Sequence, residues 1–106
     1  MHDETVVVTA IFKPVPGVRE ELVERLRVAI AEVHEEPGCL LYAIHGAPDG
    51  SIVMIEKWEN ERLLDEHAAG EPVQRLDASI AGLITAPVEV TRLRPIAAGR
   101  ESQGRL

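Results

Sequence analysis

The chain has 106 residues, of which 45% are hydrophobic and 27% charged, with a formal net charge of -7. That length suits one domain with a small core, and the balance is too apolar for a disordered chain. An acidic chain with no cluster of Lys and Arg excludes phosphate-driven nucleic-acid binding, and no apolar run approaches the roughly 20 residues that span a bilayer.

The N-terminal MHDET has no charged-then-apolar leader, so the expected location is cytoplasmic. The one cysteine, Cys39, allows no intramolecular disulfide and no multi-cysteine metal site, and it suits a reducing compartment. Phe12, Tyr42 and Trp58 are the only aromatics. The core must be aliphatic, and a planar ligand finds few surfaces to stack on.

TVVVTAIFK (5–13) is β-branched and reads as a strand, stopped by Pro14 and Pro16-Gly17. From Val18 to Glu35, Leu22, Leu26, Ala29, Ile30 and Val33 recur at helical spacing, and Pro37-Gly38 ends the helix. CLLYAIH (39–45) and SIVMIEKW (51–58) are strands joined by GAPDG, whose Gly, Pro and Asp predict an antiparallel hairpin. Asn60 is a candidate N-cap for a short helix to about Ala69, with Leu63 and Leu64 inward. After Gly70-Glu71-Pro72, Val73, Leu76, Ile80 and Leu83 form one stripe of a second helical piece. VEVTRLR (88–94) is the last strand, residues 1–98 make one domain, and 99–106 are a polar tail.

The order β-α-β-β-α-β predicts a ferredoxin-like α+β fold with a four-stranded antiparallel sheet. Its helices cover one sheet face, yet the strands are apolar on both. Val7 and Ile11 oppose Val6, Val8, Ala10 and Phe12; Val53 and Ile55 oppose Ile52 and Met54; Cys39, Leu41 and Ala43 oppose Leu40, Tyr42 and Ile44. A second copy is the expected cover, giving a homodimer packed sheet to sheet.

VVVTAIFKPVPG, EEPGCLLYAIH and SIVMIEKWENERLLDEHAAGEPV, in this order, resemble the antibiotic biosynthesis monooxygenase family over roughly residues 5–95. The resemblance rests on Pro-Gly after the first strand, E-x-G-C before the second, and E-x-W-E leading to a helix that carries His67. It implies a dimeric α+β barrel with a pocket between sheet and helices in each subunit. Several members oxidise phenols or quinols with molecular oxygen and no metal or flavin, and others degrade heme. The heme branch places an asparagine, a tryptophan and a histidine where this chain has Ala10, His67 and residues 75–77, so heme degradation is not expected.

His67 follows Leu63 and Leu64 at helical spacing, and is the candidate proton acceptor; a histidine hydrogen-bonded at the helix end before Gly70 is the alternative. Trp58, on the strand face of Met54 and Glu56, either contacts substrate or closes the core. Glu56 is a desolvated base or the partner of Arg92 or Arg94. Tyr42 and Phe12 complete the expected lining. His2, His34, His45 and His67 show no metal-ligand spacing. The expected function is a cofactor-independent monooxygenase acting on a small phenolic or quinol substrate. The alternative is a non-catalytic binding or regulatory dimer on the same scaffold, and a third reading is an isomerase or decarboxylase using the same base.

Overall fold

The computed structural model describes residues 4–106; His2 and the start of the expected 1–98 domain lie outside the described residues. Strand β1 (Val6–Phe12) leads to helix α1 (Arg19–Val33), strands β2 (Cys39–Gly46) and β3 (Ile52–Trp58), helices α2 (Glu61–Ala68) and α3 (Glu71–Ile80), strand β4 (Glu89–Leu93) and the single turn α4 (Glu101–Gly104). The strands form one antiparallel sheet in the order β2-β3-β1-β4, as the ferredoxin-like reading expects. The tail differs in one respect: its Gln103 amide bonds back to Arg100, closing α4.

Hydrophobic period decides which faces meet. Leu22, Leu26, Ala29 and Val33 of α1, with Leu64 of α2 and Leu76 and Ile80 of α3, cover the sheet face made by Val6, Val8, Ala10, Phe12, Ile52 and Met54. Asn60 caps α2 as expected: its side chain accepts from the Leu63 amide at 2.9 Å. Leu64 is buried, whereas Leu63 is only half-buried and packs its side chain on Gly38. Helix α3 starts earlier than the apolar stripe suggests, because Pro72 suits a first turn whose amide donors have no intrahelical acceptor.

In β2 the alternation is displaced. The ladder slips between Cys39 and Leu41, so Cys39 pairs with Trp58 while Leu41 pairs with Lys57. Leu40 is the extra residue of a β-bulge and is 51% exposed. Thus Cys39 shares the inner face with Tyr42, and Leu40 does not, correcting the simple alternation expected there. On the opposite sheet face Leu41, Ala43, Val53 and Ile55 remain half-exposed, and among the described residues no helix lies over them. Leu93 on β4, opposite Val7, continues this face and is exposed, whereas Val90, opposite Ala10, is exposed on the cavity side.

Candidate active site

The register lays Tyr42, Glu56, Val8 and Arg92 in one row across β2, β3, β1 and β4, all on the helix-covered face. Helices α2 and α3 do not close fully over this row. They leave a cavity of about 620 Å³, walled chiefly by aliphatic side chains, with Phe12, Tyr42, Glu56 and His67 among its lining residues. Four of the five expected site residues therefore meet at one cavity.

Trp58 is the exception. It lies one row further along β3 from Glu56, paired with Cys39 and Val6, is fully buried and does not line the cavity. Two residues along a strand is a step of about 6.6 Å. From there the indole acts on the site indirectly. Its Nε1–H donates to Glu56 Oε1 at 2.9 Å, and its ring lies against the His67 imidazole with centroids 4.4 Å apart. The Tyr42 ring meets His67 edge-on at 5.4 Å. The imidazole is thus held between two aromatic rings, which limits the rotamers open to it.

Two carboxylates flank His67. Its Nδ1 lies 3.0 Å from Glu36 Oε1, in the loop between α1 and β2, and its Nε2 lies 4.0 Å from Glu56 Oε1. Burial holds the Glu56 carboxyl above its ordinary range, against the opposing pull of the Trp58 N–H, then His67 and Arg92. The expected alternative, an ion pair of Glu56 with Arg92 or Arg94, is not the arrangement seen. Val8 stands between Glu56 and Arg92 in the row, and Arg92 turns outward to Asp65 at 2.7 Å and Glu61 at 3.6 Å, while Arg94 meets Glu61 at 3.3 Å. Burial, with Glu56 and Glu36 nearby, raises Tyr42 well beyond the usual phenol range, so its hydroxyl keeps its proton. Burial likewise raises the Cys39 thiol, and Cys39 packs against the core rather than into the cavity. His34 and His45 lie elsewhere, bonded to the carbonyls of Tyr42 and Val53.

Glu36 has no role in a reading by strand alternation or helical spacing, since it sits in neither element. The signal that could have found it is the E-x-G-C run, Glu36-Pro37-Gly38-Cys39. Gly38 adopts φ +84°, and a Cβ there would come 2.5 Å from Leu63 Cδ1. Only glycine lets this loop both turn and touch α2. That contact, with the Glu59 amide bonded to the Gly38 carbonyl at 2.9 Å, sets Glu36 beside His67 across 31 positions of chain.

An imidazole and a carboxyl with a raised affinity for its proton, side by side in an apolar wall, can take a proton from a bound hydroxyl and return it. The surrounding aliphatic groups exclude water, which strengthens both interactions.

The chain is similar to known proteins in both sequence and fold. The model of the family described as antibiotic biosynthesis monooxygenase matches residues 5–78. A relative named "Putative monooxygenase Rv0793", from Mycobacterium tuberculosis, is 34% identical over 92 residues, covering 86% of this chain and 91% of that protein. The structure of Rv0793 superposes with a TM-score of 0.82 at 32% identity, over 92% of this chain and 100% of the other. PA3566 from Pseudomonas aeruginosa superposes with a TM-score of 0.80 at 27% identity, again over 92% and 100%.

Proposed function

The chain belongs to the antibiotic biosynthesis monooxygenase family, and we propose that its cavity oxidises a small phenolic or quinol substrate with molecular oxygen, His67 taking the hydroxyl proton. The observation that carries this reading is His67 in the wall of an apolar cavity, with Nδ1 engaged by Glu36 and Nε2 without a hydrogen-bond partner among the described residues. In this reading the substrate supplies the electrons. Loss of its proton to Nε2 leaves an electron-rich phenolate that passes one electron to oxygen. The radical pair joins at a ring carbon to give a peroxide, the imidazolium returns its proton, and elimination of water leaves a carbonyl. One oxygen atom ends in the quinone and the other in water. Glu56 and Tyr42 line the substrate's polar end, and Phe12 its apolar side.

The same reading takes the protein as a homodimer, supported by the half-exposed apolar face of Leu41, Ala43, Val53 and Ile55. A cytoplasmic site of action suits it, and among the described residues no helix is long and apolar enough to cross a membrane. The test is oxygen uptake over an aerated panel of hydroquinones and naphthols. Uptake by the wild type that disappears in His67→Ala supports the oxygenase. Equal uptake by both proteins, or by neither, removes the oxygenase and leaves the binding dimer or the oxygen-independent isomerase or decarboxylase.

A further inference from the structure

We infer that Glu36 sets the hydrogen-bond polarity of the cavity: it holds the His67 proton on Nδ1, so that Nε2 meets the ligand as an acceptor and the site selects a hydroxyl over a carbonyl. This rests on the reading that the ligand lies against His67.

A carboxylate oxygen can only accept, so the nitrogen 3.0 Å from Glu36 Oε1 carries the hydrogen. The neutral imidazole has one N–H, and the other nitrogen then presents a lone pair. The alternative tautomer would strip Oε1 of its donor. Glu36 has little tolerance for that, because its side chain is only 19% exposed and its Oε2 is already buried without a partner among the described residues. The reverse preference has no comparable source. On the cavity side Nε2 stands 4.0 Å from Glu56 Oε1, too far for a hydrogen bond, and that oxygen already accepts from Trp58 Nε1 at 2.9 Å. His67 Nε2 and Glu56 Oε1 therefore face one space as acceptors, and the lining donor Arg92 is engaged by Asp65 and Glu61. The Tyr42 hydroxyl can turn to donate or accept, so it does not decide the polarity.

A phenolic hydroxyl satisfies Nε2, whereas a ketone or quinone oxygen sets lone pair against lone pair. A site built to bond a hydroxyl rejects an analogue without one far more strongly than a merely apolar pocket does. In the proposed oxidation the hydroxyl-bearing reactant is accordingly held and the carbonyl product released.

The test uses the whole protein and two bicyclic probes of similar size, 1-naphthol and 1-tetralone. Long-range proton–nitrogen NMR at about pH 8.5, above the ordinary histidine range, reads the His67 tautomer, with assignment by difference from His67→Gln. The wild type is expected to show the Nδ1–H form and to bind 1-naphthol at least about tenfold more tightly than 1-tetralone. Glu36→Met, of similar shape but at most a weak acceptor, is expected to move the proton to Nε2 and to lose most of that preference. Glu36→Gln, whose amide oxygen still accepts, is expected to keep both. A wild type with the proton on Nε2, a doubly protonated ring at that pH, or an unchanged preference in a folded Glu36→Met overturns the inference. Should Glu36→Met not fold, the wild-type tautomer and probe preference decide. Neither readout involves oxygen or turnover, so this polarity without oxygen uptake overturns only the oxygenase reading.

Discussion

Substituting His67 by Gln keeps an amide near Glu36 while removing the basic nitrogen, so it separates proton transfer from packing. Turnover of an accepted phenol is expected to fall about 10²–10⁴-fold with the circular dichroism spectrum unchanged, and a loss below tenfold would assign the base elsewhere. Glu56 is argued from its burial. Because the fold raises its carboxyl, ionising it in the folded chain costs more than in the unfolded one. The sign follows: the stability it lends is complete below the unfolded value and is lost as pH rises through the folded value. Glu56→Gln is neutral throughout and can still accept from Trp58 Nε1. Its melting temperature is expected to match the wild type below about pH 4 and to exceed it at pH 7. A difference of the opposite sign at pH 7 would show that the Trp58, His67 and Arg92 contacts outweigh burial. Such a variant would gain stability at the site while losing the ionisable group that faces the cavity.

Among the elements, the loop from α1 to β2 and the bulge after it decide what the site contains. Gly38 lies against Leu63 in a conformation that other residues adopt only under strain. Gly38→Ala is expected to cost about 1–3 kcal/mol in urea unfolding and to push α2 away, lengthening the Glu36–His67 contact. A wild-type midpoint and an unchanged His67 nitrogen spectrum would show that the loop tolerates the methyl. The bulge at Leu40 then brings Cys39 inward opposite Trp58, so that Tyr42 comes into register with Glu56. On the far side, Arg92 of β4 and Arg94 just beyond it tie that edge to α2 through Asp65 and Glu61. These pairs are exposed and each is worth little, but together they join the rim of the cavity to the helix that carries His67.

For the whole molecule, helices on one face of the sheet leave an apolar face uncovered, centred on Val53 and Ile55 of β3, an inner strand of the sheet. A charge there points into any partner sheet and is not compensated. Ile55→Glu is expected to convert a dimer to monomer in light scattering while leaving the helix signal in place, since Ile55 has no role in the helix-covered core. A wild type that is monomeric at micromolar concentration would remove the sheet-to-sheet pairing.

Strand and helix periods were written in the sequence, because each depends on residues close in the chain: the alternating apolar residues of β1 and β3, the stripe of α1, the Asn60 cap. The two-sided apolar strands and the ordered motifs around Glu56, Trp58 and His67 likewise pointed to the fold, the family and three of the residues that build the site. Local pattern could not foresee the bulge, since a single extra residue changes the face taken by the residues before it relative to those after it, and here turned Cys39 inward. Nor could it rank Trp58 and Glu36. Whether a side chain fills a cavity wall or stands behind it depends on register across three strands, and the approach of Glu36 to His67 depends on a glycine meeting a helix 25 positions later. Those are long-range contacts, chosen by packing and burial, and only the tertiary structure decides them.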